Sequence, residues 1–121
     1  MRIGIVGLGK MGGNMAQRLI GKGVEVVAYA RTVESVNKAV EKGATGATSL
    51  EDLISKLQSP RIVWLMVPAG QTTEDTIDRV IPLLKEGDIL IDGGNSFYKD
   101  TLRRAEKLKA KNIHFLDSGT S

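Results

Sequence analysis

The chain has 121 residues, enough for one domain with a core of its own. It contains no cysteine, which excludes a disulfide framework and a thiolate metal site, and its net charge of +3 comes from scattered basic residues rather than from a basic stripe. No apolar run approaches the roughly 20 residues that a membrane-spanning helix needs. We therefore expect a cytoplasmic globular protein that binds no metal, nucleic acid or membrane.

The opening of the chain predicts a strand, a glycine-rich turn, a helix and a second strand. Arg2 to Val6 is a short apolar run, typical of a buried strand, and Val24 to Ala30 is another. Between them stands Gly7-Leu8-Gly9-Lys10-Met11-Gly12, a G-x-G-x-x-G motif, followed by a helical pattern that stops near Gly21. This order of elements is the context in which the motif indicates dinucleotide binding.

Each glycine of the motif has its own expected role. Gly7 allows a tight turn, Gly9 lets the backbone approach a pyrophosphate, and Gly12 lets the helix pack closely on the strand. The helix points its free N–H groups and the positive end of its dipole at the phosphates. A glycine-rich turn without a ligand is the alternative, and the surrounding elements favour a dinucleotide.

The rest of the chain continues to alternate helices and strands. The predicted helices are Val33 to Glu41, a helix opened by Ser49 that ends near Gln58, a helix capped by Thr72 or Thr73, and Phe97 to Lys109. The further predicted strands are a brief one between Ala44 and Thr48, then Arg61 to Val67, Asp88 to Asp92 and Asn112 to Leu116. This alternation predicts an α/β fold, a Rossmann-type doubly wound parallel sheet in a three-layer αβα arrangement.

Ligands of such sheets bind at the carboxyl ends of the strands. The turns expected to meet there are Gly7 to Gly12, Val67 to Gly70 and Gly93 to Ser96. Ala30-Arg31-Thr32, at the tip of the second strand, should lie at the adenosine end of the ligand. No carboxylate stands here to repel a 2′-phosphate, and a guanidinium and a hydroxyl are available to bind one. We expect NADP to be favoured over NAD, the alternative being a solvated Arg31 that only stacks on adenine.

Two stretches resemble a known group of enzymes. Residues 4–16, from Gly4-Ile5-Val6-Gly7 to Asn14-Met15-Ala16, are similar to the N-terminal signature of the 3-hydroxyacid and 6-phosphogluconate dehydrogenase superfamily. Ile91-Asp92-Gly93-Gly94-Asn95-Ser96 resembles the I-D-G-G-N-[ST] segment of 6-phosphogluconate dehydrogenases. Sister families, such as 3-hydroxyisobutyrate dehydrogenases and imine reductases, usually differ at this segment.

The resemblance implies an NAD(P)-dependent dehydrogenase of the pentose phosphate pathway, which oxidises 6-phosphogluconate and decarboxylates it to ribulose 5-phosphate. Residues 1–121 would be its coenzyme-binding Rossmann domain. The lysine base and glutamate acid of the reaction would belong to a C-terminal helical catalytic domain that is absent from this chain. We therefore expect these residues alone to be inactive, and the intact protein to be a homodimer or larger homo-oligomer that takes a phosphorylated sugar acid.

The resemblance also implies roles for individual residues. The expected cofactor-binding residues are Gly7, Leu8, Gly9, Lys10, Met11, Gly12, Ala30, Arg31, Thr32, Val67, Pro68, Ala69 and Asn95. Asn95 matches a family asparagine that contacts nicotinamide and substrate, which makes it the catalytic candidate, although an Asx-type helix cap is the alternative. Ser121 aligns with a serine of the family's substrate loop. Ala30 and Pro68 depart from the family pattern, and Pro68 replaces a common lysine and removes a backbone donor.

Two other interpretations stay open. The first is another superfamily member that acts on a small 3-hydroxy acid or an imine, against which Gly93-Gly94-Asn95 argues. The second is a stand-alone dinucleotide-binding or redox-sensing module without catalysis, against which the match at Asn95 argues. His114 and Asp92 are interpreted as structural residues rather than as catalytic ones.

Overall fold

The computed structural model describes residues 2–8, 10–58, 60–66, 71–92 and 105–117. Its strands are β1 (Arg2–Val6), β2 (Glu25–Tyr29), β3 (Thr45–Gly46), β4 (Ile62–Leu65), β5 (Ile89–Asp92) and β6 (His114–Asp117). They form one parallel sheet in the order β3-β2-β1-β4-β5-β6. This is the strand order of the Rossmann-type fold, and it confirms the predicted fold class.

Helices cover both faces of the sheet. They are α1 (Lys10–Gly21), α2 (Val33–Glu41), α3 (Leu50–Ser55) and α4 (Gln71–Val80), which runs into a 3₁₀ turn at Ile81–Leu83; residues 105–109 are also helical. The buried side chains of α1 and α2 share one hydrophobic cluster with the sheet, and those of α3, α4 and the 105–109 helix share the other. The arrangement is therefore three layers, αβα.

Alternate residues of the central strands enter the two clusters. In β4, Val63 and Leu65 are fully buried under α3 and α4, whereas Ile62 and Trp64 face the α1 side. A strand that is covered on both faces reads as a nearly continuous apolar run. This is why β4 and its neighbours could be predicted from a few residues each.

Ser49 caps the start of α3 as predicted, but the Asp52 side chain has different hydrogen-bond partners from those of a capping box. The Ser49 hydroxyl accepts a hydrogen bond of 3.0 Å from the Asp52 N–H. The Asp52 carboxylate does not return to Ser49; it accepts from the Thr48 N–H at 2.9 Å and from the Lys56 ammonium at 2.6 Å. The Lys56 hydrogen bond, followed by the one from Thr48, holds the pKa of Asp52 below its ordinary value.

The predicted cap of α4 is wrong. The helix begins at Gln71, so Thr72 and Thr73 lie inside its first turn, and the cap position falls before Gln71, outside the described residues. Pro82 distorts the other end as predicted, since it lies in the 3₁₀ turn that follows α4 and has no N–H to continue the helical pattern. In the part of the chain that the structure describes, no helix combines the length and apolar character of a membrane span.

Candidate dinucleotide-binding site

The carboxyl ends of five strands reach one edge of the sheet at the same level. Val6 at the end of β1 is in register with Tyr29 of β2 and Leu65 of β4. Leu65 is in register with Asp92 of β5, which pairs in turn with Asp117 of β6. The edge at which we expected the ligand is therefore formed by the ends of β1, β2, β4, β5 and β6.

Several of the predicted site residues lie outside the described residues. These are Gly9, Val67, Pro68, Ala69, Asn95 and Ser121. Their roles stay predictions. The described part of the candidate site consists of the turn after β1, the tip of β2 and the facing side of α4.

The turn between β1 and α1 depends on two glycines. Gly7 has a φ of +99°, a conformation that favours glycine, and its N–H donates to the Tyr29 carbonyl oxygen at 2.8 Å. A Cβ on Gly12 would collide with the Gly7 carbonyl oxygen and would lie 3.2 Å from the Cβ of Met66. The tight turn and the close approach of α1 to the sheet thus require glycine at both positions.

The N-terminus of α1 faces the same edge, with the positive end of the helix dipole directed towards it. The helix begins at Lys10, and its first turn carries no acidic residue. The first four N–H groups of an α-helix have no partner within the helix, and the helix dipole favours an anion there. The turn and helix together fit a pyrophosphate, because no side chain at Gly7 or Gly12 could obstruct its approach.

Thr32 has a structural role that the sequence interpretation missed. It is the N-cap of α2: its Oγ1 accepts from the Ser35 N–H at 3.3 Å and donates its own proton to the Ser35 Oγ at 2.8 Å. A hydroxyl has a single proton to donate, so this network competes with a phosphate for Thr32. The signal was present in the sequence, because Thr is a preferred residue immediately before a helix.

A cavity of about 240 Å³ opens beside the tip of β2. Gly7, Tyr29, Ala30 and Arg31 line it from the sheet edge, and Asp75 and Arg79 line it from α4. The cavity therefore brings Gly7 of the glycine turn together with Ala30 and Arg31, and α4 forms its other side. Arg79 is a residue that the sequence alone did not single out.

A second cavity, of about 280 Å³, lies between α1 and α2. Within the described part of the chain, Leu8 is the one predicted cofactor residue that lines it. The polar residues that line it include Asn14, Gln17 and Lys38, which lie on the helices rather than at the strand ends. The cavity beside β2 is thus the one that coincides with the predicted binding edge.

The opposite, amino-terminal edge of the sheet holds a buried charge that the sequence alone does not reveal. Asp88 is fully buried, and its carboxylate accepts from the backbone N–H groups of Arg61 and Lys85, each at 2.8 Å. The Arg61 guanidinium lies 3.5 Å from the same carboxylate. The His114 N–H donates to the Asp88 carbonyl oxygen at 2.9 Å, which places His114 at this edge, away from the candidate site.

Comparison with known proteins identifies the family. Residues 2–121 match the family described as the NAD binding domain of 6-phosphogluconate dehydrogenase. The chain belongs to this family. The match confirms the predicted resemblance and the predicted coenzyme class, NADP or NAD.

Individual members of the family are similar over almost the whole chain. The chain is 48% identical to the decarboxylating 6-phosphogluconate dehydrogenase of Rattus norvegicus and 46% identical to that of Ceratitis capitata, with 98% of the chain aligned in each case. The chain spans 26% of the length of each of these relatives. Their names describe whole enzymes, and this chain corresponds to about a quarter of them.

Solved structures agree with the fold. The 6-phosphogluconate dehydrogenase of Plasmodium falciparum, studied in its apo form and in complexes with its cofactor NADP+ and its substrate 6-phosphogluconate, matches with a TM-score of 0.85 at 33% identity. The match covers 95% of this chain and 26% of that one. The 3-hydroxyisobutyrate dehydrogenase of Mycobacterium tuberculosis matches with a TM-score of 0.87 at 21% identity, over 96% of this chain and 39% of that one. This second likeness shows a shared fold alone.

Proposed function

We propose that the chain is the coenzyme-binding domain of a 6-phosphogluconate dehydrogenase, and that the intact protein oxidises 6-phosphogluconate and decarboxylates it to ribulose 5-phosphate with NADP as oxidant. The observation that carries the proposal is the identity of 46–48% to enzymes of that name over nearly the whole chain. The Ile91-Asp92-Gly93-Gly94-Asn95-Ser96 segment supports the same substrate class over a small 3-hydroxy acid or an imine.

The residues of this chain would bind and orient the cofactor. Gly7 and Gly12 keep the turn after β1 open, so that the N–H groups at the start of α1 can bind the pyrophosphate. When bound, NADP accepts the hydride that leaves the substrate. Asn95 would contact the nicotinamide and the substrate, and Ser121 would contact the substrate.

Arg31 would be the principal ligand of the 2′-phosphate. It lines the cavity beside β2 together with Ala30, which offers no carboxylate to repel a phosphate. Because the Thr32 hydroxyl already caps α2, its contribution would be to hold the backbone of this corner in place. The NADP+ complex of the Plasmodium falciparum enzyme supports the same cofactor preference.

The proposal extends to the rest of the protein. The catalytic lysine and glutamate would belong to a helical domain, and the intact protein would be a cytoplasmic homo-oligomer acting on a phosphorylated sugar acid. The substrate in the Plasmodium falciparum structure, 6-phosphogluconate, supports this ligand class. The 121-residue chain should then bind nucleotide and oxidise no 6-phosphogluconate.

Calorimetric titration of the purified chain with NADP and NAD at low salt tests the cofactor assignment. We expect tighter binding of NADP, and we expect Arg31→Ala to weaken NADP by roughly 10- to 100-fold, the effect of losing hydrogen bonds to a charged group, while leaving NAD nearly unchanged. The matched control is Arg18→Ala, because Arg18 is an exposed arginine in the last turn of α1. Equal or tighter binding of NAD would contradict the NADP assignment.

The reaction itself is tested with the whole protein. We expect NADPH to form with 6-phosphogluconate and not with 3-hydroxyisobutyrate, measured by absorbance at the nicotinamide band. Oxidation of the small hydroxy acid in preference to the sugar acid would assign the protein to the sister family. Oxidation of 6-phosphogluconate by the 121-residue chain would contradict the expected division between the two domains.

A further inference from the structure

Two arginines from separate elements line the cavity beside β2. Arg31 follows β2 at the carboxyl edge of the sheet, and Arg79 comes from α4. We propose that Arg79 is a second ligand of the 2′-phosphate and therefore a determinant of cofactor preference, acting with Arg31. The inference rests on the proposed function, because it takes the cavity to be the adenosine end of an NADP site.

The helix holds Arg79 in position by its opposite side. Ile77 and Val80 are fully buried in the hydrophobic cluster beneath the sheet, so α4 is fixed against it. Asp75 and Arg79 are four positions apart and lie on one side of the helix, and both line the cavity. Arg79 is exposed, which leaves its charged group available to a ligand that enters there.

The charge of the cavity favours a phosphate. Among the described lining residues, Arg31 and Arg79 are basic and Asp75 is acidic, so these residues together carry a net positive charge. A phosphate monoester carries about −1.5 to −2 at neutral pH, whereas the ribose hydroxyl in its place in NAD is neutral. The second guanidinium should therefore stabilise bound NADP much more than bound NAD.

The size and walls of the cavity suit one end of a dinucleotide. Its volume of about 240 Å³ is below the roughly 300–1,000 Å³ of sites that enclose a complete small molecule. Tyr29 and Leu50 contribute apolar wall beside the polar groups. Ala30, the next residue after β2, has only a methyl side chain, so it would offer a phosphate between the two arginines neither steric hindrance nor a negative charge.

The test compares ligands that differ by one phosphate. NADP, NAD, 2′,5′-ADP and 5′-AMP are each titrated into the chain and into Arg79→Ala, Arg79→Lys and Arg18→Ala. We expect Arg79→Ala to weaken NADP and 2′,5′-ADP about tenfold and NAD and 5′-AMP less than about twofold. Arg79→Lys should recover part of the loss, since a lysine keeps the charge but not the planar fork, and Arg18→Ala should match the parent chain.

The outcomes separate the inference from the proposed function. Unchanged affinity of Arg79→Ala for NAD would show that the variant is folded. Its weaker binding of NADP would then be due to lost contacts with the 2′-phosphate. An equal loss for NADP and NAD would make Arg79 a ligand of the shared adenosine group and would overturn the inference alone. So would a variant that binds NADP as tightly as the parent. If the parent chain binds neither dinucleotide, the inference and the proposed function both fail.

Discussion

Replacement of Asp88 by asparagine should destabilise the chain far more than its conservative chemistry suggests. The Asp88 carboxylate accepts from two backbone N–H groups, those of Arg61 and Lys85, and faces the Arg61 guanidinium. Asparagine has one acceptor oxygen, so its NH₂ group would face one of those donors inside the protein. An unsatisfied buried donor costs about 1–3 kcal/mol. With the loss of the charge opposite Arg61, the free energy of unfolding should fall by about 2–5 kcal/mol.

Urea unfolding followed by circular dichroism at neutral pH measures this loss. Asp78→Asn is the matched control, because Asp78 is half exposed and pairs with Lys107 at 3.0 Å on the surface, where an ion pair contributes about 1 kcal/mol or less. At roughly 4 °C per kcal/mol for a domain of this size, Asp88→Asn should also lower the Tm by about 8–20 °C. Equal losses in the two variants would refute the argument that the buried hydrogen bonds of Asp88 hold this edge together.

Two further predictions concern the glycine turn and acid stability. Gly12→Ala should lower nucleotide affinity and stability, because the added methyl group would collide with the Gly7 carbonyl oxygen. Gly13→Ala is the control in the same calorimetric titration, because a Cβ there would meet nothing closer than 3.8 Å. Equal effects of the two substitutions would contradict the steric argument. The folded pKa of Asp52 is lowered, chiefly by Lys56, so its stabilisation is present above the ordinary aspartate pKa of about 4 and is lost as pH falls through the lower folded pKa. The urea concentration at the unfolding midpoint, measured from neutral to acid pH, should thus decline less steeply for Asp52→Asn than for the parent chain. An equal decline in both proteins would contradict the stabilising role of the ionised Asp52.

The parts of the fold that could be predicted are those fixed by local pattern. β4 is recognisable because Val63 and Leu65 on one face and Ile62 and Trp64 on the other are all apolar, as burial on both faces requires. Gly43, with a φ of +110°, ends α2 in a conformation that other residues rarely adopt. In such places the residue type and the local structure determine each other, and distant contacts are not needed.

The parts that could not be predicted depend on contacts between distant residues. One partner of Asp88, Arg61, lies 27 positions away in the sequence, and nothing in the run from Asp88 to Asp92 distinguishes a buried carboxylate from a solvated one. The role of Thr32 was also hard to predict, because capping a helix and binding a phosphate both use its hydroxyl group. The position of Arg79 follows only from the crossover that brings α4 to the tip of β2.

The two edges of the sheet differ in whether their polar groups have partners within the fold. At the amino edge, the Asp88 carboxylate accepts hydrogen bonds from the N–H groups of Arg61 and Lys85, so these two donors are satisfied within the fold. At the carboxyl edge, the first N–H groups of α1 lack helical partners, and Arg31 and Arg79 line an open cavity. Because domains are only marginally stable, the hydrogen bonds of Asp88 help the fold to maintain an open edge elsewhere. Substitutions at Asp88 should therefore lower stability while leaving the ratio of NADP to NAD affinity unchanged, and substitutions at Arg79 should do the reverse.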